Sequence, residues 1–273
     1  MAFDFRSSLT RSTLKPLTEF DFEAVREIAR STCGISLHVG KKALVSSRLE
    51  KLVRGHGFET YTDYIRFISV RRQGPEFTEF IDTLTTNHSG FWREPEHFTF
   101  LQKSVFPDCR NRMRIWSAAC ATGEEPYTLA MCALSAGVPG CSISASDISR
   151  AALGAAFRGE YEQARVAALP QGWAQRYFSR AAPGFLSVVP AVRSMVSFAP
   201  LNLLQPFGHM GIFDVILCRN VMIYFEQSTR DQLVARLVDQ LALGGLLFTG
   251  HSETLLRLPS NLGYVQPATY RKI

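Results

Sequence analysis

Two periodicities divide the chain. Up to about residue 85, apolar positions recur every three or four residues, the spacing of a single buried helix face. The pattern predicts helices over Phe20–Ser31 behind a cap-like Thr18, over Lys41–Arg54 closed by Gly55–His56–Gly57, over Tyr61–Val70, and over Glu76–Leu84 after the Gly-Pro stop in "RRQGP". From Met113 the pattern changes to short apolar runs: Met113–Ala119, Cys141–Ala145, Met195–Ala199, Phe213–Cys218 and Leu246–Gly250. Between them lie helical stretches that include Pro126–Ala136, Ser149–Phe157 and Ser228–Leu243. Such alternation predicts an α/β fold, a mostly parallel sheet with helices on both faces. Tyr264–Lys272 reads as a terminal antiparallel strand, and Leu169–Val192 as a small insertion with short strands.

Composition narrows the class. With 273 residues, 46% hydrophobic and 20% charged, the chain can bury a substantial core. No apolar run approaches the roughly 20 residues of a membrane helix. The best candidate, Leu233–Phe248, is broken by Arg236, Asp239 and a Gly-Gly pair. The opening "MAFDFRSSLTRST" has no apolar leader segment. The six cysteines form no C-x-x-C pair, which suits reduced, buried thiols and argues against zinc or a disulfide frame. A cytoplasmic location is expected, with no membrane insertion and no metal.

The net charge of +6 is unevenly placed: His38–Gly57 holds five Lys/Arg against one Glu. At 100° per residue Val45, Leu49, Leu52 and Val53 form an apolar stripe, and Lys41, Arg48, Lys51 and Arg54 a basic one beside it. That basic stripe is either a solvated face or a docking face for an anionic partner, nucleic acid or an acidic protein helix.

Candidate chemistry gathers at the strand ends, where open α/β sheets bind ligands. "RIWSAACATGEEPYTLA" (114–130) is a strand, a tight turn and a helix, but it lacks both G-x-G-x-x-G and G-x-x-x-x-G-K. Asp147 lies 24 residues beyond Gly123, near the spacing of an acid that bonds ribose hydroxyls. Asn202, Arg219, Asn220 and Tyr224 follow later apolar runs. This is a nucleoside site without phosphate machinery, and two carboxylates at its turn favour a cationic arm. S-adenosylmethionine meets both conditions. Structural readings stand beside these: Asp147 as a helix N-cap, Arg93 paired with Glu94 or Glu96, Tyr224 as a core aromatic, His251 as a structural histidine, and Glu125 as a first-turn acid that suits the helix dipole.

Seven motifs in order then resemble the chemotaxis-receptor glutamate methyltransferases of the CheR type: "TTNHSGFWREPEHF", "RIWSAACATGEEPY", "ASDIS", "LPQGWAQRYF", "FAPLNLL", "FDVILCRNVMIYF" and "LLFTGHSE". The match runs from about Thr85 to the C-terminus. It implies a helical receptor-docking domain over 1–85, a linker and cofactor-contacting segment over 86–112, and a Rossmann-like S-adenosylmethionine-dependent methyltransferase domain over 113–273. That domain would carry a small β-subdomain at about 169–198. Asn87, Ser89 and Arg93 would contact the cofactor, with Ala119 at the first strand end. Glu124 would reach the methionine amino end, Asp147 the ribose, Asn202 and Leu203 the adenine, and Arg219 and Asn220 the methionine portion. Arg93 and Tyr224 would flank the methyl group and the incoming glutamate. The implied partners are the cytoplasmic methylation helices of receptors, met by Lys41, Arg48, Lys51 and Arg54, with no nucleic acid and a monomeric enzyme. The product would be S-adenosylhomocysteine. The short stretch Ala181–Gly184 argues against grasping a receptor C-terminal pentapeptide. Rival readings are an RNA or small-molecule methyltransferase on the same core and a non-catalytic S-adenosylmethionine-binding scaffold.

Overall fold

The computed structural model describes residues 14–109, 112–138, 140–255 and 257–273, so the stretch read as lacking a leader lies outside the described residues. The chain forms two compact units, one from residues up to Ser31 together with Leu37–Leu84, the other from Thr32–Ser36 together with Thr85–Ile273.

The first unit is helical. Helix α1 (Glu19–Cys33) starts at a reciprocal cap, with the Asp21 amide donating to Thr18 Oγ1 at 3.1 Å and the Thr18 amide to Asp21 Oδ2 at 3.1 Å. Helix α2 (Lys42–Gly55) buries Val45, Leu49, Leu52 and Val53, the stripe that the periodicity picks out. Helix α3 (Tyr61–Ser69) is capped by Thr60, whose hydroxyl accepts the Asp63 amide at 3.1 Å. Helix α4 (Pro75–Leu84) contributes Phe77, Phe80, Ile81 and Leu84 to the core. The basic stripe is not uniform. Lys41 and Lys51 are exposed, Arg54 pairs with Glu50 at 3.0 Å, and half-buried Arg48 donates to the Leu84 carbonyl at 3.0 Å. Arg48 thus caps the end of α4, because the last carbonyls of a helix lack partners within it.

The second unit opens with helical chain where a linker is expected: α5 (Pro95–Phe100) runs on through a π-helical turn at Leu101–Val105. Phe98, Leu101 and Phe106 are buried in the main core, so this segment is structural. Then come β1 (Arg114–Ala118), α6 (Glu124–Ser135), β2 (Ser142–Asp147), α7 (Arg150–Arg158), β3 (Glu160–Glu162), α8 (Gln163–Val166), α9 (Trp173–Tyr177), β4 (Phe178–Arg180), β5 (Phe185–Val188), α10 (Pro190–Arg193), β6 (Val196–Pro200), β7 (Phe213–Cys218), α11 (Gln227–Asp239), β8 (Leu241–Thr249), β9 (Leu262–Gln266) and β10 (Thr269–Lys272).

The main sheet has the order β6-β2-β1-β7-β8-β10-β9, parallel through β8 and antiparallel at β10 and β9. Strand β1 shows why both faces need helices: Ile115 packs into one core cluster, Trp116 and Ala118 into another. Strand order reverses between β1 and β7, and the carboxyl ends flanking that reversal are where a ligand crevice forms. Among the described residues no helix is long and apolar enough to cross a membrane.

Three boundaries differ from the sequence expectation. Helix α11 stops at Asp239 rather than Leu243, because Leu241 already pairs with Phe213, and a register shift between Phe213 and Val215 takes up the Gly244–Gly245 pair. The C-terminal stretch is a hairpin, β9 and β10, turning at Pro267–Ala268, where Ala268 has φ 57°. The small sheet, order β3-β5-β4, begins at Glu160, upstream of the expected insertion. Three residues are too few to show a two-residue alternation.

Candidate active site

The turn after β1 bends through three left-handed residues, Ala119 (φ 62°), Ala121 (φ 46°) and Gly123 (φ 93°). Gly123 has a packing reason to lack a side chain: a Cβ there would lie 2.7 Å from Ala156 Cβ and 2.9 Å from Tyr161 Oη. The glycine lets α7 and β3 close on the turn, so its presence without a phosphate fingerprint is accounted for. Asp147 completes the turn from the end of β2. Its Oδ2 accepts the Ala121 amide at 2.8 Å and its Oδ1 the Ser149 amide at 2.9 Å. The cap of α7 is Ser149, which accepts from Ala152 at 3.1 Å, so Asp147 is not the cap residue. The carboxylate is aimed by backbone donors at the end of β2.

A buried charge network crosses the strand ends. Arg219, 5% exposed, pairs through Nη1 with Glu125 Oε2 at 2.8 Å and through Nη2 with Glu94 Oε2 at 3.0 Å. Glu125 Oε1 accepts from Ser117 at 2.7 Å, and Glu94 Oε1 from Asn220 Nδ2 at 3.0 Å. Burial alone would raise the Glu94 carboxyl, but the Asn220 amide and the Arg219 guanidinium outweigh it and hold it below its ordinary value. His97, with no exposed surface, is pushed down to about 3 by burial and the Arg219 charge. Among the described residues Glu94, His97 and His251 bring ligand-type atoms within 4.8 Å of one another. Glu94 is already engaged by a guanidinium there, a poor neighbour for a cation.

Around this floor lies a cleft that is partly open to solvent. It gathers Asn87, Ser89, Arg93, Ala119, Asp147, Asn202, Leu203, Arg219, Asn220 and Tyr224 from segments far apart in sequence. Arg93 does not pair with Glu94 or Glu96; its side chain donates to the His88 carbonyl at 3.2 Å. The half-buried Tyr224 lies on a 3₁₀ turn, Met222–Tyr224, whose backbone is tied to the Ser36 amide at 2.8 Å.

Glu124 is the exception. It does not line the cleft: its side chain is fully buried, accepts from Thr122 Oγ1 at 2.7 Å and pairs with Arg165. Arg165 also reaches the Ser89 carbonyl at 3.3 Å, so this pair fastens the Ser89 segment to the start of α6. Glu125 lines the cleft in its place. Adjacent helix positions diverge by about 100° and the sequence does not say which faces inward. One signal was present: Ser117 is a hydroxyl within an apolar strand, and a buried hydroxyl calls for a partner. Cys33 and Ile35 also line the cleft and carry no motif that marks them.

The residues present suit an adenosine with a zwitterionic, cationic arm. The carboxylates of Asp147 and Glu125 and the Arg219 guanidinium line the cleft, and Arg219 Nε is a buried donor without a hydrogen-bond partner among the described residues. Sheet order, crevice and donor set together define an S-adenosylmethionine-dependent methyltransferase. Residues 87–270 match the family model described as CheR methyltransferase, SAM binding domain, and residues 21–85 the CheR methyltransferase, all-alpha domain. The chain belongs to the CheR methyltransferase family. It is 36% identical over 270 residues to the chemotaxis protein methyltransferase of Borreliella burgdorferi, covering 94% of this chain and 95% of that one. It is 38% identical over 262 residues to chemotaxis protein methyltransferase 1 of Pseudomonas aeruginosa, covering 90% and 94%. With the Escherichia coli chemotaxis protein methyltransferase it shares 36% identity over 252 residues, 89% of this chain and 87% of that one.

Proposed function

We propose that the protein transfers the methyl group of S-adenosylmethionine to glutamate side chains of chemotaxis receptors, leaving a glutamate methyl ester and S-adenosylhomocysteine. The observation that carries this reading is Arg93: a cleft guanidinium with no carboxylate partner among the described residues, in a cleft also lined by Tyr224, whose hydroxyl is without a partner among them. Such a pair suits an incoming carboxylate by charge-assisted hydrogen bonding. Glutamate is ionised near neutral pH, its unperturbed pKa being about 4.3, so the nucleophile needs no general base. The bound cofactor supplies an electrophilic methyl on a sulfonium. What the chain supplies is alignment: Asp147 takes the ribose, Glu125 the ammonium, Arg219 and Asn220 the methionine portion, Arg93 and Tyr224 the acceptor carboxylate. Asn87 and Ser89 border the cofactor from their own segment. The Asn202 side chain donates to the Thr32 carbonyl at 2.6 Å and accepts from the Leu204 amide at 3.0 Å, which fixes it in the cleft wall, and Asn202 and Leu203 border the adenine.

Lys41, just before α2, and Lys51 and Arg54 on it are the docking cations for acidic receptor helices, in the cytoplasm and without nucleic acid. The protein does not need a receptor pentapeptide: Ala181–Gly184 forms a tight turn, Phe185 donating to the Ala182 carbonyl at 2.9 Å. Strand β5 is the middle strand of its sheet, so a peptide could add only along β3 or β4, not along Phe185–Val188. The test is transfer of labelled methyl from S-adenosylmethionine to a receptor cytoplasmic fragment, to RNA, or to neither. Base-labile label on the receptor fragment is the expected result; label on RNA, or base-stable label, refutes the reading.

A further inference from the structure

Glu253 is a carboxylate that none of the preceding chemistry uses. It is 3% exposed, and its partners among the described residues are backbone amides. Oε2 accepts from Gly250 N at 2.7 Å and from Asn220 N at 2.7 Å, and Oε1 accepts from Ile223 N at 3.0 Å. Burying an ionised carboxylate without a cation is unfavourable unless its lone pairs are filled by donors, and here three amides fill them.

Two of those amides, of Asn220 and Ile223, belong to backbone that needs an outside acceptor. Asn220 stands in the left-handed region at φ 59°, which a non-glycine residue holds only when its surroundings fix it. Ile223 lies in the first turn of the Met222–Tyr224 3₁₀ helix, whose N-cap, Val221, has no side-chain oxygen to offer. Glu253 therefore does from a distant strand end what an N-cap residue does locally. Gly250 makes room for this, since a Cβ there would lie 2.6 Å from Asn220 Nδ2 and 2.7 Å from Glu253 Oε2.

The geometry points to Glu253 as a positioning residue for methyl transfer: it locks the Asn220–Tyr224 turn and thereby sets where the Tyr224 hydroxyl meets the acceptor carboxylate. This rests on the reading of Tyr224 given above. Glu253 itself touches neither substrate nor cofactor. Its effect should appear in kcat and in its coupling to Tyr224, whereas a merely structural residue would lower stability and leave turnover of the folded protein intact.

The experiment compares Glu253→Gln, Glu253→Asp, Tyr224→Phe and the double variant Glu253→Gln/Tyr224→Phe at saturating S-adenosylmethionine and receptor fragment. Glutamine retains the size but has one acceptor oxygen and turns an NH₂ toward an amide. Its kcat should fall on the order of 10- to 100-fold, the scale of a small misplacement of a reacting group. Aspartate keeps the charge and both oxygens, and should recover at least about threefold over glutamine. In the Tyr224→Phe background, adding Glu253→Gln should cost less than about threefold, because both changes disable one device. Wild-type kcat for Glu253→Gln, equal loss for aspartate and glutamine, or multiplying losses in the double variant would overturn the inference. A glutamine variant that does not fold leaves the decision to aspartate and its double with Tyr224→Phe, read by the same coupling. Wild-type kcat for Tyr224→Phe alone would instead strike the reading beneath, and this inference with it.

Discussion

His97 carries an imidazole that the fold keeps neutral. Burial and the Arg219 charge bring its pKa from 6.5 to about 3, while Glu94 pulls in the opposite direction and His251 adds to the lowering. The unfolded chain binds a proton near pH 6.5 and the folded one resists to about 3, so stability should fall as pH drops through that interval. The slope from this one group reaches about 1.4 kcal/mol per pH unit. Glu94 adds to the loss only lower down, as pH falls through its depressed folded pKa. Urea unfolding between about pH 6.5 and 4.5, above most carboxyl titration, should therefore show a slope that His97→Gln flattens. An unchanged slope in that variant would assign the pH dependence elsewhere. The neighbouring acids Glu124 and Glu125 make a second case. Glu125→Gln should weaken S-adenosylhomocysteine binding about tenfold or more and also cost about 1–3 kcal/mol of stability, because it leaves buried Arg219 short of a carboxylate. Glu124→Gln should keep affinity within about threefold and lose about 1–3 kcal/mol of stability, discounted because Arg165 is 39% exposed. Calorimetry and denaturation of the two variants decide, and the reverse pattern of affinities would restore Glu124 to the ligand. The candidate residues were legible because they cluster at strand ends; which acid turns inward was not, since side-chain direction depends on the partners Ser117 and Arg165.

At the level of elements, the turn between β1 and α6 is fixed by packing. Gly123→Ala would press a methyl into Ala156 and force a positive φ on alanine. A loss of a few kcal/mol is expected, together with weaker cofactor binding, because Ala121 and Asp147 meet at this turn. A wild-type melting temperature would show that α7 can give way. Helix α2 offers a different test. Arg48 belongs to the end of α4, so charge reversal should be made at Lys41 and Lys51, which are exposed. The double variant should raise KM for the receptor fragment more than it lowers kcat, with a flatter dependence on salt. Equal KM at low salt would remove α2 from the docking face. The helices of the first unit and the parallel strands were readable because apolar spacing alone specifies them. The three-residue strands β3 and β4 were not, and neither was the helical stretch after Glu94, where aromatic side chains hold a segment whose spacing looks irregular.

On the scale of the whole molecule, the chain passes from one compact unit to the other after Leu84, but that is not the whole division. Thr32–Ser36 belongs with the methyltransferase unit although the helical chain continues on either side of it. Cys33 and Ile35 stand in the cleft wall, Thr32 takes the Asn202 amide, and Phe225 side-chain atoms lie 3.0–3.1 Å from the position of a Gly34 Cβ. Sequence periodicity passes over this point because α1 simply runs into it. The consequence concerns how the protein can be taken apart. A fragment starting at Thr85 would lose a strip of its own cleft and should bind S-adenosylhomocysteine far more weakly than the intact chain. A single nick between Leu37 and Leu84 leaves that strip seated, and the two pieces should stay together and keep their affinity. The enzyme is divisible by scission but not by truncation.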